Sequence, residues 1–170
     1  AGKKLKVIDK AGIGVDNVDV PTATRKGVLV VNAPNSTVGT TAEHTIAMMM
    51  ALVRKIPCAN NAVKNGEWKK NKFLGIEIRG KTVGIIGLGR IGSEVAKLCQ
   101  RMDMNVIASD PFVSREYAEK LGVKLMSLSE GVKIADIVTI HATLTKNNHH
   151  ILGKTEIENM KKDAFLINCA

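Results

Sequence analysis

Aromatic residues are scarce in this sequence of 170 residues: they make up 3% of it, with one Trp, one Tyr and three Phe. Proteins that hold single-stranded nucleic acid stack its bases on aromatic side chains, and that platform is nearly absent here. Helix-turn-helix and zinc-finger spacings are absent from the sequence as well. The formal net charge of +9 therefore indicates a solvated basic face or attraction for an anionic small molecule, and we expect no nucleic-acid partner.

Cysteines, long apolar runs and metal-ligand clusters are also few. Cys58, Cys99 and Cys169 are widely spaced and form no CxxC pair, which is typical of a reducing cytosol. No apolar run approaches the ~18–20 residues that a membrane span needs, and no signal peptide is recognisable. His149 and His150 lack further ligands at metal spacing, so we interpret them as surface residues. These absences predict a cytoplasmic protein with no metal site and no membrane contact.

Strands and helices alternate through the second half of the sequence. Short β-branched runs are separated by segments of helical pattern. The predicted strands are Thr82–Ile86, Asn105–Ser109, Val123–Leu125, Asp136–His141 and Ala164–Asn168. This rhythm indicates an α/β fold with a doubly wound parallel sheet, as in a Rossmann domain.

The beginning of the sequence carries weaker signals. Leu5–Lys10 is predicted to be a strand, and Asp19 is predicted to cap a helix that Gly27 ends. The β-branched run Val28–Asn32 is expected to form a buried strand.

A long helix is predicted over Thr41–Ile56, because Thr40 and Glu43 have the spacing of a capping box. Its apolar residues occupy nearly all sides: Ile46, Ala47, Met48, Met49, Met50, Ala51, Leu52 and Val53. Such a helix must be covered on both sides. A sheet can cover one side and a second subunit the other, which predicts a homodimer or homotetramer. A central helix inside a larger monomer is the alternative.

The strongest motif is a glycine-rich loop that follows a predicted strand and opens a helix. Gly87 permits a tight turn, Gly89 lets the backbone approach a pyrophosphate, and Gly92 allows close packing of helix and strand. Asp110 ends the next strand at about the spacing expected for a ribose ligand. Its charge would repel a 2′-phosphate, so the motif predicts an NAD site and disfavours NADP.

Two residues of this motif have simpler alternatives. Arg90 adds positive charge where phosphates meet the helix N-terminus, or it is a surface arginine. Asp110 binds ribose hydroxyls, or it is a turn residue before Pro111.

The amino-acid sequence around these motifs resembles that of the D-2-hydroxyacid dehydrogenases. The segments that carry the resemblance are Lys81–Gly92, Gly12–Asp19 and Asn168–Ala170. Within that family, the segments Asn32–Asn35, Ala42–Thr45 and Trp68–Gly75 are similar to the phosphoglycerate dehydrogenases. The resemblance implies NAD as cofactor, and it implies oxidation of an anionic substrate, 3-phosphoglycerate, to 3-phosphohydroxypyruvate in serine biosynthesis.

The resemblance also assigns roles to residues. The implied cofactor contacts are Ile13, Gly87, Gly89, Arg90, Ile91, Gly92, Asp110, Ala142, Cys169 and Ala170, and His141 ends a strand near the same cleft. The implied substrate contacts are Lys10, Gly12 and Asn35; Lys10 stands where the family usually has an arginine. The chain is then the end of a substrate domain and the start of the interdomain region at 1–31, followed by an incomplete NAD-binding Rossmann domain at 32–170.

No catalytic residue is predicted within the chain. In the family, a catalytic arginine follows the Asn-Cys-Ala that ends this sequence, and the catalytic glutamate and histidine lie further on, so this truncated chain is expected to be inactive alone. The alternative is an NAD(H)-sensing binding module like the C-terminal-binding protein corepressors, which Asn147–His150 and Ala164–Asn168 resemble.

Overall fold

The computed structural model describes residues 4–145 and 148–170, and the chain divides into two compact units, Ala1–Thr40 and Thr41–Ala170. The division at 31/32 expected from the sequence stays a prediction; residue 31 lies inside the second strand of the first unit. Each unit is described by itself.

The first unit contains two parallel strands and one helix. Its elements are β1 (Val7–Lys10), α1 (Val20–Arg25) and β2 (Leu29–Asn32), and the register runs from Val7 opposite Leu29 to Lys10 opposite Asn32. Asp19 caps α1 as predicted, because its carboxylate accepts a hydrogen bond from the Thr22 amide at 3.0 Å.

The prediction that Val28–Asn32 forms a buried strand is wrong within this unit. Leu29 is 58% exposed and Val31 is 38% exposed. A two-stranded sheet with one six-residue helix beside it has too little material to bury both faces of a strand.

The long helix begins earlier and ends earlier than predicted. It is α2 (Val38–Val53), so Thr40 lies inside its first turn and does not cap it. A second helix, α3 (Ile56–Lys64), follows and was not predicted. Pro57 explains the break, since proline lacks the amide proton and clashes with the preceding turn of a continuous helix. A short 3₁₀ helix follows at Lys70–Phe73.

The second unit is built on a five-stranded parallel sheet. After α2 and α3 its elements are β3 (Thr82–Ile86), α4 (Arg90–Arg101), β4 (Asn105–Ser109), α5 (Arg115–Lys120), β5 (Lys124–Leu125), α6 (Leu128–Ile134), β6 (Ile137–Ile140), α7 (Lys154–Asn159) and β7 (Phe165–Asn168). The strand order is β5-β4-β3-β6-β7. The predicted α/β fold with a doubly wound parallel sheet is confirmed.

Alternation along β3 shows that both faces of the sheet are covered. Val83 and Ile85 pack in one core with residues of α2 and α4, including Met49 and Val95. Ile86 points to the opposite face and packs in a second, smaller cluster with side chains from α6 and the segments around α7. Within the described residues, no helix is long and apolar enough to span a bilayer, and no three potential ligand side chains group closely enough to hold a metal.

Candidate functional site

The sheet has one point where the direction of winding reverses. The chain proceeds from β3 outward through β4 to β5, and it then crosses back to place β6 on the other side of β3. In parallel α/β sheets, ligands bind beyond the carboxyl ends of the strands at such a point. The loops after β3 and β6 therefore form the candidate site, with the loop after β4 beside them.

Gly87 brings those two loops into contact. Its φ is +91°, which side chains other than glycine rarely adopt, and an added Cβ would lie 2.8 Å from the amide nitrogen of Ala142 and 2.8 Å from the carbonyl carbon of His141. Glycine is therefore required both by the conformation and by the close approach.

The other two glycines face different surroundings. A Cβ on Gly92 would overlap the carbonyl oxygen of Gly87, so only glycine lets α4 start this close to the loop. A Cβ on Gly89 would meet no protein atom within 4 Å, which means that this position faces open space. The predicted division of work between packing and ligand approach fits this geometry.

The start of α4 offers unpartnered donors. The first amide groups of a helix have no partner within it, and those of Arg90 and Ile91 make no hydrogen bond within residues 4–145 and 148–170. The Arg90 side chain is exposed beside them. Amides at a helix N-terminus with a nearby cation suit a pyrophosphate, so the residues present fit the cofactor predicted from the sequence.

Asp110 lies at the end of β4, and backbone amides hold its carboxylate. Oδ2 accepts from the Leu88 amide at 2.8 Å, and Oδ1 accepts from the Phe112 amide at 2.8 Å. The Phe112 bond is an Asx turn, so the turn role and the ligand role are compatible. Each carboxylate oxygen keeps a further lone pair, which suits the two hydroxyls of a ribose.

His141 follows β6 and is held neutral. Its Nε2 lies 3.0 Å from the hydroxyl of the fully buried Thr139, while Nδ1 is buried and has no partner among the described residues. Burial lowers the pKa of His141 from 6.5 to about 4. Ile140 at the end of β6 pairs with Asn168 at the end of the neighbouring strand β7. The next residues along the two parallel strands, His141 and Cys169, therefore lie beside each other.

The predicted substrate residues Lys10, Gly12 and Asn35 all belong to the first unit. Lys10 ends β1, and a Cβ added to Gly12 would lie 3.9 Å from Lys10 Cε. Gly12 accepts from the Ala33 amide at 3.0 Å, which ties the two loops after the strands. Ile13 is in the same loop as Gly12, and Asn35 is exposed beyond β2.

Three lysines that follow Trp68, namely Lys69, Lys70 and Lys72, are a second possible source of positive charge for an anionic substrate, and two of them are paired with a carboxylate. Lys69 Nζ lies 3.3 Å from Glu67 Oε2, and Lys72 Nζ lies 3.9 Å from the same oxygen. Lys70 Nζ lies 5.7 Å from the centre of the exposed Trp68 ring. These pairings make Lys10 the better candidate for an anionic ligand.

Sequence reasoning missed the hydrogen bonds that fix the glycine-rich loop. Leu88 is held through its amide by Asp110 and through its carbonyl by Ser93, which in turn contacts Tyr117. Ser93 and Tyr117 are 24 residues apart. No local pattern signals such a pair, because only the tertiary fold brings the two hydroxyls together.

Comparison with known proteins gives a family match. The model described as "D-isomer specific 2-hydroxyacid dehydrogenase, NAD binding domain" matches residues 46–170. The D-3-phosphoglycerate dehydrogenase of Archaeoglobus fulgidus is 51% identical over 170 residues, which is 100% of this chain and 32% of that protein. That of Methanocaldococcus jannaschii is 48% identical over 169 residues, 99% of this chain and 32% of that protein. The chain thus spans about a third of these relatives.

A solved structure shares the architecture. D-lactate dehydrogenase from Aquifex aeolicus, complexed with NAD and lactic acid, superposes with a TM-score of 0.85 at 34% sequence identity. The match covers 96% of this chain and 49% of that one.

Proposed function

Because the chain belongs to the D-isomer specific 2-hydroxyacid dehydrogenase family and carries its NAD binding domain, we propose that it is the cofactor-binding part of an oxidoreductase for D-2-hydroxy acids. The observation that carries this proposal is the Asp110 carboxylate, which two amides hold beside the glycine-rich loop at the point where the winding of the sheet reverses. Bound NAD would accept the hydride from C2 of the hydroxy acid.

The residues of the second unit take the following parts in this proposal. Gly89 leaves room for the pyrophosphate, and Arg90 and Ile91 hold it with amides and charge. Asp110 accepts hydrogen bonds from the ribose and repels a 2′-phosphate. The remaining proposed contacts toward the adenosine or nicotinamide are His141, Ala142, Cys169 and Ala170.

The proposed substrate is 3-phosphoglycerate, which would place the protein in serine biosynthesis. Identity of 51% and 48% to D-3-phosphoglycerate dehydrogenases supports this choice. A substrate with a carboxylate and a phosphate needs cations at both ends, and we assign Lys10 to one of them, with Gly12 and Asn35 as further contacts. A cytoplasmic location fits the three free cysteines.

A chimaeric enzyme tests the proposal. This chain replaces the matching segment of the Archaeoglobus fulgidus protein, and kcat/KM is measured for 3-phosphoglycerate, D-lactate, glycerate and D-2-hydroxyglutarate with NAD and with NADP. We expect turnover that prefers 3-phosphoglycerate and NAD. Asp110→Ala should weaken the preference for NAD by about 1–3 kcal/mol, the range for a charge-assisted hydrogen bond.

Two matched variants locate the substrate contact. Lys10→Ala should raise KM for 3-phosphoglycerate with little change in kcat, whereas Lys26→Ala at the end of α1 should change neither. A preference for an unphosphorylated acid would contradict the substrate assignment. Tight NADH binding without turnover of any hydroxy acid would favour the binding-module alternative.

A further inference from the structure

Two hydroxyl groups lie behind the glycine-rich loop, on the protein side of the cofactor site. Ser93 Oγ donates to the Leu88 carbonyl at 3.0 Å and lies 3.1 Å from the Tyr117 hydroxyl. Ser93 is only 5% exposed. A serine hydroxyl has one proton, and Ser93 gives it to Leu88, so Tyr117 must be the donor to Ser93.

These bonds and the bond to Asp110 hold Leu88 from both sides. The Leu88 amide donates to Asp110 Oδ2 at 2.8 Å, and the Leu88 carbonyl accepts from Ser93. Leu88 is 1% exposed, and its side chain packs in the main hydrophobic core. Since the carbonyl and amide of a trans peptide point in opposite directions, the bond from Ser93 also fixes the direction of the Gly89 amide.

Tyr117 links this arrangement to the segment that follows Asp110. It lies in the first turn of α5, where its amide donates to the capping Ser114 at 3.2 Å, and the residue is 45% exposed. Its hydroxyl therefore joins the start of α5 to the start of α4. Asp110 lies at the base of the segment between β4 and α5, with its carboxylate on the Leu88 amide.

We propose that Tyr117 and Ser93 are positioning residues of the NAD site, which set the orientation of the Leu88 backbone and through it the Asp110 carboxylate. This inference rests on the NAD site of the proposed function. The Ser93 hydroxyl contacts the Leu88 carbonyl and the Tyr117 hydroxyl. The contribution of the two residues is to favour NADH over NADPH, because that discrimination depends on where the Asp110 carboxylate is held.

Tyr117→Phe is the central test, since it removes one hydroxyl and keeps the ring. The 170-residue chain is titrated with NADH and with NADPH by calorimetry. We expect the Kd for NADH to rise about three- to tenfold, the loss expected for one hydrogen bond, with a smaller change for NADPH. Ser93→Ala should raise the Kd for NADH at least as much, because the Leu88 carbonyl then loses its hydrogen-bond donor. Thr155→Ala, which removes an exposed hydroxyl on α7, should leave both constants unchanged.

A double-mutant cycle separates positioning from general stability. If Tyr117 acts through Asp110, Tyr117→Phe should change the NADH affinity of the Asp110→Ala chain by less than about twofold. The same loss of NADH affinity in both backgrounds, or an unchanged Kd and an unchanged NADH preference in Tyr117→Phe, would overturn the inference. A wild-type chain that binds no NADH would overturn the proposed function along with it.

Discussion

The three glycines of the loop differ in which atoms an added Cβ would meet. Gly87 and Gly92 are surrounded by backbone, and a methyl group at either position would clash with main-chain atoms, which cannot move aside as a flexible side chain can. Gly89 has an ordinary φ of −72° and open space beyond its Cα. The motif therefore combines positions required for folding with one whose requirement comes from a ligand.

Gly89→Ala and Gly92→Ala form a matched pair that tests this difference. Gly89→Ala should unfold in denaturant like the wild type and should weaken NADH binding by about 1–3 kcal/mol, because the new methyl group occupies the pyrophosphate position. Gly92→Ala should lower the free energy of unfolding by about 1–3 kcal/mol, because its methyl group overlaps the Gly87 carbonyl. A Gly92→Ala chain as stable as wild type, or Gly89→Ala with unchanged NADH affinity, would contradict the assignment.

His141 makes a prediction about acid stability. Its pKa is about 4 in the folded chain and about 6.5 when exposed, so the unfolded chain binds more protons between those values. The stabilising contribution is complete above pH 6.5 and is lost as the pH falls toward 4. We expect the His141 contribution to lower the free energy of unfolding by on the order of 2 kcal/mol as the pH falls from 6.5 to 4. This value is smaller than the full pKa shift would give, because the ring is partly exposed.

The measurement is denaturant unfolding at several pH values for wild type and His141→Gln. Glutamine keeps a polar group near Thr139 but does not titrate. The free energy of unfolding of His141→Gln should therefore fall less between pH 6.5 and 4 than that of the wild type. Parallel pH profiles for the two chains would show that His141 does not contribute.

At the scale of elements, local signals located most strands and helices of the second unit. β3 and β4 match their predicted bounds because β-branched runs alternate with helices whose caps are local, such as Ser127 with Glu130 before α6. The long helix was predicted to end at Ile56, whereas α2 ends at Val53 and Ile56 begins α3, because Leu52, Val53 and Ile56 continue the apolar pattern across the break. The Ser93–Tyr117 pair had no sequence signal, because it joins residues 24 apart that only the tertiary fold brings together.

In the candidate site, too, the features with a local sequence signal were predictable and those that depend on the tertiary fold were not. Gly87, Gly89, Gly92 and Asp110 were predictable, since a strand, a loop and a helix in a fixed order carry their spacing. The bond from the Leu88 amide to Asp110 was not, because a hydrogen bond to the backbone leaves no preference for residue type at Leu88.

At the scale of the whole molecule, the open question is what covers the outer side of α2. Its inner side is buried through Ala42, Thr45, Met49 and Val53. Met48 is 48% exposed and Leu52, one turn on, is 42% exposed.

We predict that a second copy of the chain covers this side, because adjacent exposed apolar side chains on a helix favour association. Light scattering at micromolar concentration should give twice the 18.3 kDa of one chain. Met48→Glu with Leu52→Glu should give the monomer mass, since each dimer would bury four charges without partners. Ile157→Glu on α7, where the isoleucine is 53% exposed, is the matched control and should leave the dimer intact. A wild-type chain that stays monomeric across this concentration range would instead favour the central-helix alternative.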